Sequence, residues 1–282
     1  MPAVAYLNGD WQSPEDARVS VLDRGFLFGD GVYEVVPVYS GKPFTLDRHL
    51  DRLAGSLSEI RLANPHDSVT WTKLIAEAID RSELATAYVY VQVTRGTIPV
   101  RRFEYPESPN PTVLIMVYEA PNLERKVIRP YKVVTLEDFR WSRGHIKTVS
   151  LIAAGMLKNQ ANSQGADDAI LFRDGLVTEA TSANVFIVRD GVLVTPPKSN
   201  VLLHGITRDF VLELARQGGI AVEERPVPVE ELEEADEIMV TSAGNEAWPV
   251  GQLNGKIVGN GEGGVVWKQI DELFQAAKRA LS

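Results

Sequence analysis

No cysteine occurs anywhere in the 282 residues. That removes thiol nucleophiles, disulfide frameworks, CxxC redox pairs and every zinc site that needs thiolate, and it makes a cytoplasmic protein the simpler expectation. Long hydrophobic runs are missing too: even residues 112–120, rich in β-formers, fall short of the roughly 18 needed to cross a bilayer. The opening Met1-Pro-Ala-Val-Ala-Tyr6 has no basic region followed by an apolar run, so it does not read as a signal peptide. Positive charge is scarce, with 29 Lys and Arg against 38 Asp and Glu and a formal net charge of −9. A nucleic-acid binder that releases counterions from many phosphates is therefore not expected, nor is a membrane partner. An anionic small molecule stays compatible, because it needs only a few local cations and backbone N–H groups, and salt screens the global charge beyond ~8 Å. Absent as well are a GxGxxG after a strand, GxxxxGK[ST], GxSxG, HExxH and an EF-hand loop. The four histidines, His49, His66, His145 and His204, show no pair at helical ligand spacing, and no metal site is expected.

What remains is an ordinary globular composition, 44% hydrophobic and 24% charged, at a length that favours two domains or one large one. The first 45 residues read as short strands, with Asn8-Gly9 as a hairpin signal and a Val- and Tyr-rich run over 31–39. Leu46, Leu50, Leu53, Leu57 and Ile60 lie on one stripe of an amphipathic helix. A second helix over about 72–81 and strands over 86–94 and 112–118 complete a first α+β unit, with a polar loop at 96–111 between the strands. The charged stretch 121–130, near a proline at each end, is the linker candidate, so the expected domains are 1–120 and 131–282. The second half is expected to hold strands at 132–135, 169–172, 176–180, 184–188, 192–195, 221–227 and 237–241. Helices are expected over 151–163, from Gly205 to Gln217, near 230–235 and from Val265 onward.

Four pieces suit a phosphorylated aldehyde cofactor. Lys147 sits among apolar residues where an extended segment meets a helix, and a partly desolvated amine there is a usable Schiff-base nucleophile, although most of the ten lysines must be solvated surface groups. Glu179, on a strand with apolar neighbours, needs a cationic partner; a protonated pyridine nitrogen and an internal salt bridge both satisfy that. Thr207, beside Gly205 at a helix start, offers a hydroxyl and free N–H groups to a phosphate, and Thr241-Ser-Ala-Gly244 is a similar small polar turn. Plain capping is the alternative reading of both.

Read together, these pieces resemble the fold-type IV pyridoxal-phosphate aminotransferases, and among them the D-amino acid aminotransferases. The resemblance runs through Asp23-Arg-Gly-Phe-Leu-Phe-Gly-Asp-Gly-Val-Tyr-Glu-Val35, His49-Leu-Asp-Arg-Leu53, Val93-Thr-Arg-Gly-Thr97, Ile146-Lys147, Val177-Thr-Glu179 with Ser182 and Asn184, Gly205-Ile-Thr-Arg-Asp209 and Val240-Thr-Ser242. It implies an α+β, two-domain fold with an N-terminal α/β sandwich and a C-terminal pseudo-barrel, and a homodimer as the assembly. It also implies pyridoxal 5′-phosphate as cofactor, bonded to Lys147, with Glu179 on the pyridine nitrogen and Arg52, Ile206, Thr207, Ser242 and Ala243 on the phosphate. Leu203 is implied to pack on the ring, and Tyr33 to line the substrate side.

One departure bears on substrate choice. The D-amino acid enzymes commonly grip the substrate carboxylate with an Arg and a His two residues apart, on a loop reaching in from the neighbouring subunit. Here those positions hold Val100 and Arg102, so Arg101 or Arg102 is the expected replacement. The implied reaction is ping-pong transfer of an amino group from a D-amino acid such as D-alanine or D-glutamate to a 2-oxo acid. The alternatives are an (R)-selective amine transaminase, a branched-chain L-amino acid aminotransferase, aminodeoxychorismate lyase, and a non-catalytic relative, against which Lys147 and Glu179 both stand.

Overall fold

The computed structural model describes residues 2–124 and 127–280. The described residues divide into two units, 2–124 with 146–151 and 127–145 with 152–280. The expected connector 121–130 opens with a 3-10 turn at Pro121–Glu124, and its Arg125 and Lys126 lie outside the described residues.

The first unit is a sheet covered on one face by helices. Strands β1 (Pro2–Leu7), β2 (Asp10–Gln12), β3 (Gly31–Tyr39), β4 (Lys42–Pro43), β5 (Ala87–Thr94) and β6 (Thr112–Glu119) line up in the order β2-β1-β6-β5-β3-β4. The β1–β2 turn is Asn8-Gly9, both at positive φ, as the two-residue hairpin signal requires. Alternation along β3 sends Val32, Val36 and Val38 into the core, where they meet Val89, Val91 and Val93 of β5 and Ile115 of β6. Helices α2 (Leu46–Glu59) and α3 (Ser68–Ser82) close that face with Leu50, Leu53, Leu57, Trp71, Ile75 and Ile79. The opposite face carries Tyr33, Val35, Tyr90, Gln92, Leu114 and Met116, all half-buried. A short helix, α1 (Arg24–Phe28), precedes β3; Asp23 caps it through Gly25 N–H (2.7 Å) and Gly29 ends it in the left-handed region. Five residues are too few to show a period, which is why it does not stand out in the sequence.

The second unit is a nine-stranded sheet built from β7 (Tyr131–Glu137), β8 (Asp168–Arg173), β9 (Leu176–Ala180), β10 (Asn184–Arg189), β11 (Val192–Thr195), β12 (Val222–Glu224), β13 (Glu237–Ser242), β14 (Glu246–Leu253) and β15 (Lys256–Ile257). Its order is β12-β11-β10-β13-β14-β7-β8-β9, with β15 on β14. Strand β9 ends that order yet turns straight into β10, Ala180 N–H donating to the Ala183 carbonyl at 2.6 Å, so the sheet curls into an incomplete barrel. Ile170, Ala180, Val185, Ile187, Val240 and Val250 fill its inside. Helix α4 (Ile152–Ser163) packs Leu157 and Ala161 on β8, and α5 (Ile206–Gln217) and α6 (Val265–Arg279) pack outside β13 and β14. No described helix is long and apolar enough to cross a membrane.

Three expectations need correction, and, besides the two-residue β15, one longer strand has to be added. The second helix begins at Ser68, because Asp67 caps it through Thr70 N–H (2.7 Å) four residues before the apolar period becomes visible. The strand expected over 221–227 is only Val222–Glu224, since Pro226 and Pro228 cannot donate to a ladder. The acidic helix is a 3-10 turn, Val229–Glu234. The added strand is β14, whose Pro249 and Gly251 argue against a central strand; a register shift between Val250 and Gln252 in its pairing with β7 accommodates them.

Two glycines make the backbone argument testable. Gly96 has φ +81°, and a Cβ there would stand 1.8 Å from the Asn110 carbonyl oxygen, whereas Gly55, inside α2, has nothing within 4 Å. Gly96→Ala should lose roughly 2–3 kcal/mol in urea unfolding, and Gly55→Ala should gain about 0.5–1 kcal/mol from helix propensity. Equal shifts at the two positions would contradict the geometry.

Candidate active site

In the first unit, residues 146–149 run antiparallel along the start of β3. Tyr33 N–H donates to the Lys147 carbonyl (2.9 Å), Val149 N–H to the Gly31 carbonyl (3.0 Å), and Thr148 bridges to Val32. Ser56 Oγ of α2 accepts from Lys147 N–H at 3.2 Å, and buried Ile146 anchors the strip in the core. The Lys147 side chain is half-buried, with Nζ 4.3 Å from the centre of the Tyr33 ring, which itself stacks on Tyr90 at 5.6 Å. Tyr33 and Lys147, two of the expected site residues, are thus brought together.

Beside them lies a charge cluster that joins residues of two of the motifs, Glu34 of the first and His49 and Arg52 of the second. Glu34 is buried on the core face of β3, and two bases of α2 close on it. Arg52 donates from Nε and from a terminal nitrogen to the two carboxylate oxygens (2.7 and 2.9 Å), and His49 Nδ1 lies 2.8 Å from Oε2. Burial pushes the Glu34 carboxyl up, but the Arg52 charge and the hydrogen bonds from Arg52 and His49 outweigh it and hold the group well below the usual carboxylate range. Burial pushes His49 down; Glu34 opposes that, while the Arg52 and Lys147 charges add to it. A signal for the cluster does exist: Glu34 interrupts the buried alternation of valines on β3, and His49 sits one place from Leu50 on the apolar stripe of α2.

In the second unit, Glu179 is buried on β9. Arg140 donates to Oε1 (2.8 Å), Leu203 N–H to Oε2 (3.0 Å), and the Asn184 amide reaches Oε2 at 3.5 Å while donating to the Leu203 carbonyl at 2.8 Å. Of the two partners considered for Glu179, the internal ion pair is present. Arg140 is shared with buried Asp138, which takes two more of its hydrogen bonds at 2.9 Å and one from Thr178 Oγ1. Burial pushes the Glu179 carboxyl up, the Arg140 charge and the Leu203 N–H pull it down, and Asp138 pushes it up again; the balance leaves it raised. Arg140 is not visible in the sequence, because nothing about Asp138-Phe-Arg140 distinguishes it from a surface turn.

Four of the five phosphate-type residues, all but Arg52 of the first unit, lie in this unit. Asn184 stands opposite Thr241 in the β10–β13 ladder, and its carboxamide oxygen lies 1.9 Å from where a Cβ on Gly205 would be, so the end of β13 and the start of α5 meet at Asn184. Gly205 caps α5 without a side-chain bond, leaving the first-turn N–H groups of Ile206 and Thr207 for an acceptor outside the helix. Ser242 and Ala243 open the turn that follows β13, and Thr241 Oγ1 is buried without a hydrogen-bond partner. Arg101 and Arg102, by contrast, are exposed on the 96–111 loop of the first unit.

The model of the amino-transferase class IV family matches residues 31–253, and the chain belongs to that family. It is an aminotransferase of the fold-type IV class, with pyridoxal 5′-phosphate as cofactor. Among relatives, it is 40% identical over 261 residues to a D-alanine aminotransferase of Listeria innocua serovar 6a, covering 92% of this chain and 90% of that one. It is 36% identical over 268 residues to a D-alanine aminotransferase of Bacillus licheniformis, covering 95% and 94%. Among solved structures, the Escherichia coli branched-chain amino acid aminotransferase superposes with a TM-score of 0.91 at 25% identity, covering 98% of this chain and 94% of that one. The fold is also that of a hypothetical aminotransferase from Mycobacterium tuberculosis in its PLP-bound form, with a TM-score of 0.87 at 24% identity, covering 99% of this chain and 100% of that one.

The residues present fit the cofactor. A carboxylate offers about four acceptor directions; Glu179 has three donors, one of them long, so a pyridine N–H can be added. A positive ring there would counter the raised proton affinity of Glu179, and the unpartnered Thr241 hydroxyl and uncapped α5 suit an anion.

The Glu34 cluster yields a pH prediction. A carboxyl held low in the folded state contributes stability that is complete above its ordinary value of about 4.5 and is lost as the pH falls below it. Glu34→Gln should cost roughly 3–5 kcal/mol near neutral pH by stranding Arg52. The gap to wild type in urea unfolding should narrow steadily from pH 5 to pH 3; a constant gap would remove the ionic account.

Proposed function

We propose that the protein moves the amino group of a D-amino acid, of the D-alanine and D-glutamate class, to a 2-oxo acid by a ping-pong reaction. The observation that carries this reading is the Lys147 amine, held over the Tyr33 ring by a strip of chain bonded to β3, in a sequence 36–40% identical to D-alanine aminotransferases. A cytoplasmic homodimer belongs to the same reading, because in the resembled family the carboxylate-binding loop reaches in from the neighbouring subunit. Its partners are small-molecule amino donors and 2-oxo acids.

Pyridoxal phosphate supplies an aldehyde for the amino group and an electron-withdrawing ring that stabilises negative charge at the substrate Cα. Lys147 Nζ would bond that aldehyde at rest and, once displaced by substrate, carry the Cα proton. Its short, hydrogen-bonded strip fixes the amine's origin, and proton transfer at one atom needs that positional control. Glu179 would accept the pyridine N–H, with Arg140 and Leu203 N–H orienting its carboxylate. Arg52, Ile206, Thr207, Ser242 and Ala243 would hold the phosphate, the Ile and Ala through backbone N–H, and Leu203 would pack on the ring. Arg52 is already oriented by Glu34, so little side-chain freedom remains to be lost on binding. Tyr33 would face the substrate, and Arg101 or Arg102 would take its carboxylate.

Borohydride reduction of the loaded protein followed by peptide mapping should place the pyridoxyl label on Lys147; label on another lysine would overturn that role. A panel of half-reactions followed by the cofactor spectrum tests the substrate. D-Alanine and D-glutamate should convert the cofactor faster than L-leucine or (R)-1-phenylethylamine. Faster conversion by the amine would favour an (R)-selective amine transaminase, for which the missing Arg and His at Val100 and Arg102 already speak. Glu179→Gln should lower turnover by at least tenfold, about 1.4 kcal/mol on the transition-state scale, while urea unfolding changes little.

A further inference from the structure

The loop over 96–111 is tied at its base, where Ile98 N–H donates to the Leu22 carbonyl and Gly96 bridges to Asn110. Between those ties, among the described residues, no backbone group of 99–109 bonds to another backbone group. The hydrogen bonds that reach this span come from one side chain. Arg24, only 3% exposed, donates to three successive carbonyls, those of Arg102 (2.8 Å), Phe103 (3.1 Å) and Glu104 (3.3 Å).

The charge balance around Arg24 explains why it needs them. Its Nε bonds Asp30 at 2.7 Å, but Asp30 also takes two bonds from Arg95, at 2.9 and 3.1 Å, and Arg95 is 1% exposed. Two buried guanidiniums therefore share one carboxylate, and main-chain carbonyls must solvate the excess charge. Arg95 finds those of Ile60 and Arg61 in its own surroundings. Arg24 finds its own only on the loop. The Tyr105 ring, 3.6 Å from the Arg95 guanidinium, adds a second hold.

The same loop seats one of its two arginines. The Arg101 guanidinium lies 4.9 Å from the centre of the Phe28 ring and 5.6 Å from that of Phe103, and these rings pack on each other at 5.3 Å. No carboxylate of the described residues pairs with it, so a guanidinium lying on two rings keeps its N–H edge for an incoming anion. Arg102 has its carbonyl engaged but, among the described residues, no ring or carboxylate on its side chain.

We infer that Arg24 is a positioning residue for substrate recognition: by holding the carbonyls of 102–104 it fixes the loop so that Arg101, seated on Phe28 and Phe103, binds the substrate carboxylate. This rests on the D-amino acid reading, which wild-type conversion of D-alanine tests separately. Arg101→Ala should raise the KM for D-alanine by tenfold or more with kcat within threefold. Arg24→Lys, which keeps the charge but cannot span Asp30 and three carbonyls, should raise it at least fivefold, and by less than twofold when added to Arg101→Ala. Trypsin supplies a readout independent of the reaction, because a loosened loop exposes the bonds after Arg101 and Arg102; cleavage there should be at least tenfold faster in Arg24→Lys. If Arg24→Lys fails to fold, Phe28→Leu removes the seat instead, and its effect on KM should likewise vanish in the Arg101→Ala background. Additive effects, unchanged trypsin cleavage, or a larger KM rise from Arg102→Ala than from Arg101→Ala would each overturn the inference. A wild type that ignores D-alanine would instead overturn the reading beneath it.

Discussion

The hydrogen bonds between β3 and residues 147–149 decide where the Lys147 amine resides. Without them the strip 146–151 would follow its sequence neighbours, since both 127–145 and the helix from Ile152 belong to the second unit. Because β3 accepts the strip beside Gly31, Val32 and Tyr33, Lys147 emerges next to Tyr33 with its backbone fixed at both carbonyl and N–H. The glycine at 31 is part of that arrangement, as a Cβ there would stand 2.8 Å from the Val93 carbonyl oxygen. A sheet register, set by buried valines, thereby determines the position of the Lys147 side chain.

Buried charge is gathered into ion-pair clusters in each unit. In the first, Glu34 answers Arg52, with His49 as a further hydrogen-bond partner, and Asp30 answers both Arg24 and Arg95, so two cations share one carboxylate there. In the second, Arg140 bridges Asp138 and Glu179, and Arg173 adds a longer contact to Asp138 at 3.5 Å. Burial makes an unmatched charge costly. A carboxylate whose proton affinity is raised, as at Glu179, suits a cationic ring.

Elements with a clear period are legible in the sequence: β3 through its alternating valines, α2 through its leucine stripe, the β1–β2 hairpin through Asn8-Gly9. What escapes has a local rule pointing the wrong way. Strand β14 contains Pro249 and Gly251, and only its pairing with β13 and β7 makes it a strand. Helix α1 is a single capped turn with no period to detect. Among site residues, Lys147, Glu179, Thr207 and Ser242 stand out by motif, yet their partners Ser56 and Arg140 do not, because partnership across tens of residues leaves no trace in spacing. Glu34 is findable in principle: an acidic residue among core-facing valines must have a cation.

Anchoring through main-chain carbonyls has a consequence for how substrate range can change in this fold. Arg24 binds the carbonyls of 102, 103 and 104, which every residue type supplies, so its hold on the loop does not depend on the side chains at those positions. The groups implied to hold the cofactor lie on other segments, on α2, the 146–151 strip, β9, the start of α5 and the end of β13. Side chains at 100–102 can therefore be exchanged without disturbing either the loop's hold or the cofactor's. That independence accounts physically for a chain that keeps the motifs on those segments intact while replacing the family's carboxylate-binding pair with Val100 and Arg102.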